Sequence, residues 1–195
     1  MKDKIKQFKE HVIQKANDPN FIHHKWYVKY HLNIVQDIAF ELCDTYKEAD
    51  KDIVETLVWL HDYGKIVNFD NQYEETLTSG KKVLEEFGFE KDLIDKLIHY
   101  VELIDKKENL GSNETPIEVK IISSSDGAAH LIGPFFSIYW YENSDKGIEE
   151  LIENNIIKSK KDWEKKMVLP EVKEKFKLRH DFLQEQLGKF PDKYL

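Results

Sequence analysis

The chain has 195 residues, a formal charge of −8 and one cysteine. That length suffices for one well-cored domain, and 41% apolar with 12% aromatic residues excludes a disordered chain. The acidic balance argues against a nucleic-acid backbone as the main partner, and Cys43 alone cannot make an internal disulfide.

The segment Met1-Lys2-Asp3-Lys4-Ile5-Lys6 is too charged for a signal peptide, and no apolar run is long enough to cross a bilayer. A cytoplasmic protein with no membrane partner is expected. After the break at Asn17-Asp18-Pro19-Asn20, residues Val28, His31, Leu32, Val35, Ile38, Ala39 and Leu42 recur at three- and four-residue spacing, the pattern of an amphipathic helix. Cys43, within that stretch, reads as a buried structural thiol. Val54, Leu57, Val58 and His61 form a second stripe. It closes on His61-Asp62-Tyr63-Gly64-Lys65, where Gly64 is expected to supply the turn. Asp70 to Glu74 fall where a pocket lid would form, with Glu74 read as a solvated helix start.

Ile94, Leu97, Ile98, Val101 and Ile104 make a third stripe, with His99 beside it. Ile122, Asp126, Ala129 and Gly133 make a fourth, and Gly133-Pro134 should kink or end it. The aromatic run Phe135 to Tyr141 is assigned to core packing or a dimer surface, with base stacking as the alternative. Lys158 to Lys161 and Lys165-Lys166, interleaved with acids, read as a solvated face. Trp163, Val168, Leu169, Phe176, Phe182 and Leu187 are the packing residues of the last third, and Pro170 is placed to start a final helix to about Leu187. With no lasting strand-like alternation, repeat or linker, residues 1–195 read as one all-α domain.

The polar residues inside the stripes carry the signal. His31 sits among Val28, Leu32 and Val35, and Asp126 lies between Ile122 and Ala129. A buried carboxylate without a partner costs several kcal/mol, so Asp126 must meet a cation or a donor. A His31–Asp126 hydrogen bond in an ordinary core would serve. The adjacent His61 and Asp62, at the end of another helix, favour a different outcome: two imidazoles and two carboxylates converging from three helices suit one divalent ion. His130, four residues after Asp126, shares its helical face and is a candidate to support the metal ligands or to contact the substrate. His99 is a candidate for lining the pocket, protonating a leaving group or binding a second ion, with a partly buried structural histidine as the other reading.

The order His31, then His61-Asp62, then Asp126 resembles the HD-domain metal-dependent phosphohydrolases. Tyr27-Val28-Lys29-Tyr30-His31-Leu32-Asn33-Ile34-Val35 resembles that family's first ligand helix, and Leu57-Val58-Trp59-Leu60-His61-Asp62-Tyr63-Gly64-Lys65 its signature turn. Glu118 to Ala128 resembles its final ligand helix, with Ser125-Asp126 where many members carry an Ala-Asp pair. The resemblance covers an HD core of about residues 20 to 135 and leaves a helical C-terminal extension, about 136 to 195, unexplained.

The resemblance implies one divalent ion (Mn, Mg, Ni, Fe, Co or Zn) held by His31, His61, Asp62 and Asp126. It also implies hydrolysis of a small phosphate ester, a nucleotide or other phosphomonoester. Asp62 would orient or deprotonate water, and Lys65 would neutralise the phosphate. No histidine lies between His61 and His99, which favours one ion over two. A dinuclear iron oxygenase and a non-catalytic regulatory module are the other readings, and a homodimer is left open.

Overall fold

The apolar stripes fold as helices, in the order read from the sequence. A computed structural model describes residues 1–190, 192 and 193, and contains no strand among them. The helices are α1 (Lys2–Ala16), α2 (Asn33–Thr45), α3 (Lys51–Leu60), α4 (Tyr63–Val67), α5 (Gln72–Glu86), α6 (Lys91–Lys106), α7 (Ile117–Ala129), α8 (Phe135–Glu142), α9 (Ile148–Lys161) and α10 (Pro170–Gln186). Two π-helical turns interrupt this pattern: Val28–Leu32 leads into α2, and Asp162–Lys166 follows α9. Among the described residues no helix is long and apolar enough to cross a membrane.

α7 is the central element, packed against α2, α3 and α6, with every residue from Ile121 to Ala129 buried. Burial on all sides explains why this helix tolerates small residues, Ser123, Ser124, Ser125, Gly127, Ala128 and Ala129: its neighbours must approach closely. α1 carries a stripe that its many charges obscure, burying Ile5, Phe8, Val12 and Ala16. α3 begins at Asp50, whose side chain accepts from the amides of Asp52 (3.0 Å) and Ile53 (3.2 Å), a cap worth about 1 kcal/mol. Trp59 is buried with its indole N–H donated to Gln36 Oε1 at 3.2 Å.

Three expectations are corrected. The fourth stripe stops at Ala129, capped by His130, so Gly133 lies beyond the helix at φ 69°. Phe182, expected to pack, is 63% exposed on α10. Gly64 lies inside α4 and supplies proximity rather than a turn. A Cβ there would stand 1.8 Å from the Gln72 carbonyl oxygen and 2.6 Å from the Thr76 nitrogen, while the Gly64 amide donates to Thr76 Oγ1 at 2.9 Å. Gly64→Ala is therefore expected to force α4 off α5 and cost about 1–3 kcal/mol. Thermal unfolding checks this, and an unaltered midpoint would mean that the two helices part freely.

Candidate metal centre

Turns and helix ends deliver the cluster. His31 comes from the first π turn and is 2% exposed; such turns often mark functional positions because the extra residue re-aims a side chain. His61 is the C-cap of α3 and Asp62 the residue before α4, at φ −118° and ψ 17°. Asp126 comes from the buried face of α7.

His61 Nδ1 lies 2.9 Å from the Val58 carbonyl oxygen. A carbonyl only accepts, so Nδ1 is the donor of that bond and Nε2 is the ring atom left for a ligand. That nitrogen is buried without a hydrogen-bond partner and faces Asp62 Oδ2 at 3.5 Å. Both His31 nitrogens are likewise buried and unpartnered, with Nε2 3.4 Å from Asp62 Oδ2 and 3.8 Å from Asp126 Oδ1. The 3.8 Å separation is too long for the His31–Asp126 hydrogen bond of an ordinary core. Lone pairs of imidazole and carboxylate facing one another in a buried site fit a divalent cation between them. His31, His61 and Asp62 bring ligand atoms within 4.8 Å of one another, as do His31, Asp126 and His130.

Cations surround the carboxylates. Lys65 Nζ and Tyr27 Oη (3.2 Å) both donate to Asp62 Oδ2. Burial acts to raise the Asp62 carboxyl, but the Lys65 ammonium is the foremost group that outweighs it and holds it well below the usual carboxylate range. Burial likewise opposes ionisation of Asp126, and the Lys166 ammonium is the foremost group that prevails over it, holding the carboxyl well below the usual range.

Lys166 belongs to the segment read as solvated, and that reading is wrong. Its side chain is 12% exposed, donates to Asp126 Oδ2 and lies 3.6 Å from Asp162 Oδ1. Asp162 is fully buried. It accepts from Lys158 Nζ at 2.6 Å on both oxygens and contacts His130 Nδ1 at 2.8 Å. Burial and the Lys158 charge push the His130 imidazole down to about 3, so the ring is neutral. The second π turn can dock because Gly127 has no side chain: a Cβ would stand 2.9 Å from Met167 Cγ and 3.1 Å from Lys166 Cβ. The serines of α7 secure it. Ser123 donates to the Lys166 carbonyl at 2.9 Å, and Ser124 Oγ accepts from the amides of Val168 and Leu169. The only sequence signal for this arrangement was the unusual Ser-Ser-Ser-Asp-Gly run itself.

Two cavities open beside the cluster. The larger, about 810 Å³, is walled by Trp26, Phe69, Phe135 and Tyr139 and reaches His31, Lys65, His130, Lys158 and Lys166. Phe135 lies against the His130 ring at 3.9 Å, so the aromatic run lines the site in part instead of serving only as core. The smaller, about 550 Å³, reaches His61, Asp62 and Lys65 from the side of Asp105, Lys107 and Lys161. His23 contacts Glu142 at 3.0 Å, and both residues line the larger cavity.

His99 is not brought to the cluster. Its side chain is 60% exposed on α6 and faces Glu102 at 3.7 Å, because the stripe beside it turns inward and leaves His99 on the solvent face. Lys81 pairs with Asp95. Cys43 is buried, as expected. Tyr73 and Gln72 do border the smaller cavity, whereas Glu74 is exposed and bonds Asn71.

The chain has no significant match among curated proteins or among solved structures. The HD domain family matches residues 28–129, a span that holds His31, His61, Asp62 and Asp126 and ends one residue before His130. With more than half of its length matched, the chain belongs to the HD domain family, whose members are mostly metal-dependent hydrolases.

Proposed function

We propose that the protein is a metal-dependent phosphohydrolase acting on a small phosphate ester, with one divalent ion held by His31, His61, Asp62 and Asp126. The observation that carries the metal is the set of buried, unpartnered nitrogens, His31 Nε2 and His61 Nε2, facing the two carboxylates. When bound, the ion supplies Lewis acidity, lowering the pKa of a water and drawing charge from a phosphoryl oxygen.

The surrounding residues favour phosphate as the reacting group. Lys65, Lys158 and Lys166 balance Asp62, Asp126 and Asp162. A dication added to those three pairs would give the site an excess of positive charge, which favours an anionic reacting group. Lys65 lines both cavities and is placed beside an incoming phosphate. Asp62 is placed to orient the attacking water or take its proton. The walls of Trp26, Phe135 and Tyr139 suit a leaving group with a planar ring, such as a nucleoside, because aromatic faces stack on one another.

Release of inorganic phosphate from a panel of phosphorylated metabolites, with the metal-loaded protein, tests this reading. Turnover of at least one ester, abolished by chelation, is the expected result. Two irons per chain without phosphate release would instead indicate an oxygenase, and no bound metal a regulatory module. On the best substrate, Lys65→Ala is expected to reduce kcat/KM about tenfold or more, since a charge-assisted hydrogen bond is worth about 1.5–3 kcal/mol. Metal content should not change. An unaltered rate would reduce Lys65 to a structural partner of Asp62.

A further inference from the structure

His130 lies outside the span matched by the family and outside the four-residue ligand set. We propose that it is a fifth protein ligand to the ion held by His31, His61, Asp62 and Asp126, and that buried Asp162 aims it. This inference rests on the metal-centre reading given above.

The proton on the ring decides the matter. His130 Nδ1 has two neighbours, Asp162 Oδ2 at 2.8 Å and Lys158 Nζ at 3.0 Å. Lys158 already donates to both Asp162 oxygens at 2.6 Å, and a lysine has three protons to give. The carboxylate contact is the shorter, and a carboxylate can only accept. The Nδ1 proton therefore belongs to the bond with Asp162, and Nε2 carries a lone pair.

That lone pair points at electron-rich atoms. His130 Nε2 stands 3.4 Å from Asp126 Oδ1. The same oxygen faces His31 Nε2, which is buried and unpartnered, at 3.8 Å. His31, Asp126 and His130 are all buried, and their ligand atoms fall within 4.8 Å of one another. His31 is common to this triad and to the one formed with His61 and Asp62. In both triads Nε2 is the His31 atom closest to the carboxylates. One nitrogen cannot serve two ions, so the two triads share a single ion.

The Asp162–His130 pair has the form of a metal-ligand support. A carboxylate that receives the far N–H of an imidazole fixes its tautomer and orientation and raises its basicity as a ligand. Asp162 is itself held by Lys158 and Lys166 and is fully buried. Its position depends on Gly127, which admits the second π turn to the face of α7. Asp162 is thus a positioning residue, and His130 the ligand.

Titration of chelator-treated protein with Co²⁺, followed by calorimetry, tests the assignment. One ion per chain is expected in the wild type, His130→Gln and Asp162→Asn, with affinity weakened about 10- to 100-fold in Asp162→Asn and by at least as much in His130→Gln. Equal affinity in His130→Gln would overturn the proposal, and two ions per wild-type chain would overturn the shared site. Absence of any bound ion in the wild type would instead overturn the metal-centre reading itself. A measurement on unaltered protein removes any dependence on variant folding: ring-nitrogen NMR of the Zn²⁺-loaded wild type is expected to show three metal-shifted imidazoles. Two would exclude His130.

Discussion

Replacing Asp62 with alanine is expected to reduce phosphate-ester hydrolysis by at least about 100-fold while leaving the helical content of the protein in place. The rate loss follows from position. Asp62 Oδ2 faces His31 and His61, the two histidines with buried, unpartnered nitrogens, and holds the Lys65 ammonium beside the cavities. On the proposed reading its loss removes a ligand, the acceptor for the attacking water and the anchor of a phosphate-binding cation together; proton handling alone is worth about 10²–10⁴-fold. The fold should survive because Asp62 precedes α4 without making a side-chain cap. Lys65, once released, is already 27% exposed and can turn to water. Far-ultraviolet circular dichroism, metal analysis and phosphate release measured on one preparation separate the outcomes. Activity retained with metal bound would reject the role of Asp62, and global unfolding would make the His61-Asp62 pair mainly structural.

Lys166→Ala is expected to be the most destabilising single change in the site. Lys166 is 12% exposed and stands between two buried carboxylates, Asp126 and Asp162. Burial acts to lower its pKa, yet the two aspartates prevail and raise it above the ordinary lysine value. Removing one member of a buried ion pair costs about 3–5 kcal/mol because the other is left without compensation. For a chain of this size that corresponds to a fall in Tm of about 6–20 °C, at about 2–4 °C per kcal/mol. The loss should be largest in metal-free protein and smaller with a divalent ion present, because the ion then compensates Asp126. Thermal unfolding with and without chelator measures both effects. A fall of less than about 3 °C in the chelated protein would show that His130 and His31 satisfy Asp126 without the lysine.

The HD core was legible because its site residues break an apolar rule. His31 and Asp126 occupy positions where the spacing demands hydrophobic side chains, and such polar intrusions stand out in a sequence. The extension's contribution had no such mark. Lys158, Asp162 and Lys166 sit among other charges at helical spacing, which is also the pattern of a solvated surface. What turns that face inward is tertiary: a glycine on α7 and two serines that bind the backbone of the second π turn. His99 failed for the opposite reason. A histidine beside an apolar stripe is distinguishable from one within it only when the helix rotation is known, and α6 turns it outward. Gly64 looked like a turn former because it follows a helix end, but the close approach of α5 is a long-range fact that its neighbours do not encode.

The dependence of Asp126 on Lys166 has a consequence for synthesis on the ribosome. The two residues are separated by 40 positions. At about 5–20 residues per second, the lysine emerges about 2–8 s after the aspartate. Through that interval all four histidine and aspartate positions of the HD motif are already translated, while the carboxylate at the centre of α7 has no lysine to meet. A divalent ion captured early would fill that role, so metal supply during translation should raise the yield of native protein more than the same metal added after release.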